Sequence, residues 1–157
     1  NKYGALIYNT SILSEIYGWL AAFGLFAFLF TFIREVVKDI EDIEGDREME
    51  CHSLPIVLGV NTTKIVLTVV TLISTLVVGY FCFYLNPLAT DNISTKYYIF
   101  GILIPCIILI FWIGKAEKRR DWRQISTFVK FIMLIGTLYA GIVGYLFVVN
   151  FPYILNA

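Results

Sequence analysis

Four long stretches of this chain carry no charged side chain: Ile16–Ile33, Ile65–Thr90, Tyr97–Gly114 and Phe131–Ala157. Each offers the roughly 18–20 apolar residues that an α-helix needs to cross a hydrocarbon core about 30 Å thick. Inside lipid every backbone N–H and C=O must be satisfied by the protein, which leaves helices and closed barrels. The runs do not alternate apolar with polar residues, so they do not read as barrel strands. The expected fold is all-α, a polytopic transmembrane bundle of about four helices, with spans near 16–36, 65–86, 97–114 and 131–150. Tyr3–Ser14 is uncharged but too short to span, and reads as the tail of a further helical stretch.

Composition supports lipid as the solvent. Of 157 residues, 59% are hydrophobic and 15% charged, against about 25% charged in an ordinary soluble domain. A soluble fold this small leaves too much of its chain at the surface to hide so many apolar residues. Twelve basic and twelve acidic residues balance to zero, so no overall positive charge points to a nucleic-acid partner. Cys51, Cys82 and Cys106 are odd in number and widely spaced, which is no disulfide framework. The chain opens at Asn1 rather than at Met, and reads as a piece with more protein upstream.

Three prolines mark the spans. Pro87 is expected near the end of the second and Pro152 past the end of the fourth. Pro105 lies inside the third, where the loss of one helical hydrogen bond predicts a packing kink.

The charges sort by side. Ten of the twelve basic residues fall in two connecting segments, 37–64 with its flank from Arg34, and 115–130. Four alternating helices put both segments at one face, and the positive-inside rule makes that face cytoplasmic. The run from Lys115 to Arg123 then reads as a topology determinant touching anionic membrane lipid. Eight of the twelve acidic residues lie between Glu35 and Glu50. Acids contribute little to topology, so this cluster needs another reason.

That stretch is REVVKDIEDIEGDREMECHSLPIVLG, from Arg34 to Gly59. If the first helix runs on past the membrane surface, Glu35, Asp39, Asp42 and Asp46 share a stripe about 60° wide, flanked by Arg34 and Lys38. Gly45 is expected to loosen the helix just before Asp46. Stacked like charges destabilise a helix unless something neutralises them. A divalent cation does so, and magnesium takes one or two carboxylates and completes its shell with water and phosphate. Asp42 and Asp46, assisted by Asp39, are the candidate magnesium ligands. Lys38 and Arg47 are the candidate contacts to a diphosphate. Glu41, Glu44 and Glu48 point off the stripe and read as solvated acids. The spacing does not fit an EF-hand, and Cys51 with His52 has no second pair to complete a zinc site.

On these residues the chain resembles the UbiA-type intramembrane prenyltransferase superfamily. The resemblance rests on D-x-x-x-D at Asp42–Asp46, preceded by Lys38-Asp39 and followed by Arg47, Ser53-Leu54-Pro55 and Gly59. Ser126, Lys130, Met133 and Gly136 give a weaker echo. The wording KDIEDIEGDR is most similar to the branch that alkylates geranylgeranylglyceryl phosphate.

The resemblance implies a nine-helix fold, of which this chain is the C-terminal half, a partial domain over 1–157. The missing N-terminal half of the same chain would carry a first motif, N-D-x-x-D-x-x-x-D, so the piece alone is expected to be inactive. It also implies a magnesium-dependent reaction: a prenyl diphosphate is cleaved and an acceptor captures the allylic cation. Asp42 and Asp46 would be catalytic through the metal. The acceptor could be a glyceryl phosphate lipid or an aromatic quinone precursor such as dihydroxynaphthoate.

Rivals fare less well. CDP-alcohol phosphotransferases need D-G-x-x-A-R upstream of their aspartates, and that string is absent. A transporter or a non-enzymatic membrane subunit would more commonly show ionisable residues within its spans, and these spans have none.

Overall fold

A computed structural model describes residues 2–84 and 92–150, with side chains described outside 2–13, 15–16, 82, 84, 92–94, 143 and 146–150. Pro87, Pro152 and the Cys82 side chain lie outside this set. Among the described residues there is no strand. The elements are α1 (Lys2–Glu41), α2 (Ile43–Glu48), α3 (Leu54–Leu58), α4 (Val60–Tyr84), α5 (Asn92–Tyr97), a π-helical turn (Tyr98–Leu103), α6 (Ile104–Lys115) and α7 (Arg119–Asn150). Within them four helices are long and apolar enough to cross a membrane: Tyr17–Glu41, Val60–Phe81, Thr95–Lys115 and Arg119–Ile142.

Periodicity builds the interior. On α1, Phe26, Phe30, Ile33, Val37 and Ile40 are buried; on α7, Trp122, Ile125, Val129, Ile132 and Tyr139 are. These steps of three and four keep one face of each helix inward. Contacts run α1 to α4, α4 to α6, α6 to α7 and α7 back to α1, closing a ring of four. Only 28–39% of the most apolar stretch of each span is buried inside the ring. Large side chains such as Leu20, Phe28, Ile65, Leu76, Phe111 and Leu138 stand outward instead, an arrangement that lipid or further membrane helices can solvate.

The inner face of α4 is hydroxylated. Thr63, Thr71, Ser74 and Thr75 are buried, and each donates to the carbonyl four residues earlier at 2.7–2.9 Å. The polar groups are thereby satisfied within the helix, and their small size admits close neighbours. Two glycines mark the closest approaches. A methyl at Gly136 would overlap the Phe26 ring, and one at Gly79 would overlap Tyr98. The Tyr98 hydroxyl in turn donates to the Thr75 carbonyl at 2.9 Å.

Several expected boundaries move. The fourth helix begins at Arg119 rather than at Phe131, so most of 115–130 is helix and the non-helical break is Ala116–Lys118. Trp122, Ile125 and Val129 supply the reason: they continue the buried stripe beneath a charged outer face. The second helix starts at Val60 and the third is helical from Asn92. Pro105 stands on the first turn of α6, directly after the π-helical turn. The Ile104 N–H there reaches back five residues to the Ile99 carbonyl, so the missing proline donor is absorbed by a wider turn. Tyr3–Ser14 continues α1 without a break.

Candidate functional site

Because Val36, Val37 and Ile40 are buried, α1 stays packed past its last apolar run and carries the charged face with it. The helix is interrupted at Asp42, whose φ is −101° and ψ 11°. Gly45, where loosening was expected, lies inside α2. The interruption is shallow. Asp42 N–H still donates to the Lys38 carbonyl at 2.9 Å, and Asp46 N–H to the Asp42 carbonyl at 3.0 Å. Asp46 therefore follows Asp42 by about one turn.

Asp39, Asp42 and Asp46 are all half-buried, while Lys38 and Arg47 are exposed. The carboxylates of Asp46, Glu35 and Asp42 all act electrostatically on Asp39, with Lys38 the opposing charge. Asp42 and Asp46 thus stand near enough to Asp39 for their charges to act on it. The three aspartates do not form a ready-made cage: among the described residues no three His, Cys, Asp or Glu side chains are grouped closely enough to hold a metal ion. Magnesium draws on one or two carboxylates and completes its shell with water and phosphate oxygens, so it does not require such a cage.

The chain returns from this segment through Ser53–Gly59. The Ser53 carbonyl accepts the N–H groups of Ile56 and Val57 at 3.0 and 3.1 Å, and Pro55 is buried on the first turn of α3. Gly59 then turns the chain into α4 at a φ of 82°, a conformation that glycine adopts without a Cβ clash.

The start of α7 meets the acidic end of α1. Arg119 Nη2 donates to Asp42 Oδ1 at 3.0 Å, and Arg123 Nε to Glu41 Oε1 at 2.9 Å. Arg34 pairs with Glu35. Glu41 is therefore not a solvated acid as expected; its side chain is only 14% exposed. Glu44 and Glu48 are exposed. The basic run is likewise more than a lipid contact. The sequence signal for the meeting was present: even alternation of helices puts both charged segments at one end.

Two further contacts hold that end together. Lys64 Nζ donates to the Ala116 carbonyl at 2.5 Å and lies 5.7 Å from the Trp122 ring centroid. Asp121 Oδ2 accepts the N–H groups of Glu117 and Lys118 at 3.2 and 3.0 Å, capping α7 from its third position.

Aromatic side chains collect elsewhere. Trp19, Phe23, Phe26, Tyr97, Tyr98 and Tyr139 line an apolar cavity of about 40 Å³. That is on the order of one water molecule. At 1.5 Å per residue, Phe26 is roughly 24 Å along the helix from Asp42, so these faces do not stand beside the acidic site.

Comparison with known proteins identifies the family. Residues 3–135 match the UbiA prenyltransferase family, a range that contains the whole acidic segment. Three similar proteins are each named digeranylgeranylglyceryl phosphate synthase. That of Methanosphaera stadtmanae is 36% identical over 116 residues, covering 72% of this chain and 40% of the relative. That of Pyrococcus abyssi is 33% identical, covering 80% and 44%, and that of Saccharolobus solfataricus 37% identical, covering 85% and 51%. The chain spans about half the length of the curated relatives it matches. No solved structure matches it significantly. With four apolar helices, an aspartate-rich segment at one end of their bundle and a match over most of its length, the chain belongs to the UbiA prenyltransferase family.

Proposed function

We propose that the complete protein, of which this chain is a part, transfers a prenyl group from an allylic prenyl diphosphate to a glyceryl phosphate lipid. The observation that carries the reading is the acidic segment, Asp39 to Arg47, lying within the family match and at the end of the bundle where α7 begins. The names of the relatives support the acceptor class.

In this reading Asp42 and Asp46, with Asp39 beside them, hold magnesium together with the first aspartate-rich motif expected in the other half. The metal supplies electrophilic stabilisation of charge on the departing diphosphate. Lys38 and Arg47 are exposed at the same segment and bind diphosphate oxygens, which orients the donor. The allylic C–O bond breaks with its electron pair leaving on the diphosphate. The acceptor hydroxyl oxygen then bonds to the allylic carbon and its proton is released. The excess of lysines and arginines in the segments at this end over those at the other favours a cytoplasmic position for the site.

The test is transfer by the complete protein, in vesicles with magnesium. Geranylgeranyl diphosphate is supplied with either geranylgeranylglyceryl phosphate or dihydroxynaphthoate. The expected product is the doubly prenylated glyceryl phosphate. Prenylation of the naphthoate alone would replace the acceptor, and no transfer to either would overturn the reading.

A further inference from the structure

The break between α6 and α7 brings three arginines to the acidic end. Arg119, Arg120 and Arg123 line one open concavity with Gln124. Arg119 and Arg123 are aimed by Asp42 and Glu41, through hydrogen bonds of 3.0 and 2.9 Å. A guanidinium carries five N–H donors, and these side chains stay 61% and 68% exposed. Most of their donor edges thus remain open. Arg120 is exposed and joins no ion pair among the described residues. Asp121, the acid on the same turn, already accepts the Glu117 and Lys118 amides.

The Arg119–Asp42 pair is open to water and adds little stability, and Arg120 makes no ion pair among the described residues, so pairing does not by itself account for three clustered arginines. Their planar forks match phosphate oxygens in pairs. The proposed reaction creates a need for such a site. A digeranylgeranylglyceryl phosphate carries both prenyl groups and its phosphate on one glyceryl unit. The reacting hydroxyl is therefore a few bonds from a phosphate. Two anions, the donor's diphosphate and the acceptor's phosphate, then lie close together and need separate cationic partners. The stripe of α1 and α2 offers Lys38 and Arg47 for the first. The arginines of α7 meet the same segment at Asp42 and Glu41.

We propose that Arg119, Arg120 and Arg123 bind the acceptor's phosphate monoester, and thereby select a phosphorylated lipid over an uncharged or aromatic acceptor. This rests on the prenyl-transfer reading above and names the specificity element of that site.

The test uses the complete protein in vesicles of zwitterionic lipid, with Arg120→Gln, Arg123→Gln and the double variant. Steady-state kinetics are measured for geranylgeranyl diphosphate, for geranylgeranylglyceryl phosphate and for the phosphate-free alcohol geranylgeranylglycerol. The expected result is a KM for the phosphorylated acceptor at least about tenfold higher in the double variant, with the donor KM within about twofold. The preference for the phosphorylated acceptor over the alcohol should shrink in proportion. Arg120→Gln breaks no described ion pair, so its share of the effect is not a folding defect.

A rise confined to the donor KM would assign the arginines to the diphosphate and overturn the proposal. So would equal losses on both acceptors, or an effect seen only in vesicles of anionic lipid, which would mark bilayer headgroups as the ligand. Active wild type with unchanged variants would sink this site alone. Failure of the wild type to prenylate either glyceryl acceptor would sink the functional reading and this site with it.

Discussion

Arg119 Nη2 donates to Asp42 Oδ1 across 3.0 Å, joining residues 77 positions apart in the chain. Arg119 is exposed and Asp42 half-buried, at 61% and 43%, and a pair this open to water contributes about 0–1 kcal/mol. Its consequence is orientation: the contact fixes which way an aspartate of the D-x-x-x-D segment points and where a guanidinium stands beside it.

Asp42→Asn and Arg119→Gln separate those roles. Both should shift the thermal unfolding midpoint of the complete protein little, as so open a pair implies. Asp42→Asn should cut prenyl transfer on the order of 10²-fold, because on the proposed reading it removes charge where the leaving diphosphate would be stabilised. Parallel unfolding and turnover measurements check both. Near-normal turnover of Asp42→Asn would remove this carboxylate from the site.

Gly136 lies where α7 meets the Phe26 ring of α1. Gly136→Leu should cost about 1–3 kcal/mol, the usual range for overpacking an interior. Phe26→Ala opens the space the new side chain needs. The double variant should therefore be more stable than the sum of the single effects, as read from unfolding in detergent. Strict additivity would show that the two helices do not meet there.

Much of this architecture is legible in the sequence, and the gaps have physical causes. Absence of charge located the four spans, because lipid excludes charge more strictly than it fixes helix length. The same criterion misplaced the start of α7, where Arg119 to Lys130 carries charges on one face while Trp122, Ile125 and Val129 are buried on the other. Counting steps of three and four would have recovered it. Asp39, Asp42 and Asp46 were visible as a stripe, since helical spacing alone places them. Glu41 was misjudged because its partner, Arg123, is 82 residues away. The π-helical turn before Pro105 has no sequence pattern beyond the proline itself.

Lys64 closes the acidic end by donating to the Ala116 carbonyl at 2.5 Å beside Trp122. Lys64→Met keeps most of the aliphatic stem and removes the donor. Ala116 is buried, so its carbonyl loses this partner in a place water reaches poorly. A cost of about 1–3 kcal/mol is expected, together with faster amide exchange across 116–118. Exchange measured by mass spectrometry on the complete protein checks the location of the effect. Unchanged protection there would mean that the lysine does not hold the turn.

Removing magnesium tests the site from the ligand side. Asp46 follows Asp42 by one turn and joins no ion pair among the described residues, so its replacement leaves the bundle's contacts in place. Chelation of wild type should abolish transfer, and added magnesium should restore it. Magnesium together with a non-hydrolysable prenyl diphosphate analogue should raise the unfolding midpoint, since a ligand that binds only the folded state stabilises it in proportion to RT ln(1 + [L]/Kd). Asp46→Ala should unfold at the wild-type temperature without ligand and lose most of that increment with it. The same increment in Asp46→Ala would place the metal elsewhere. Full activity in excess chelator would end the case for a metal at these aspartates.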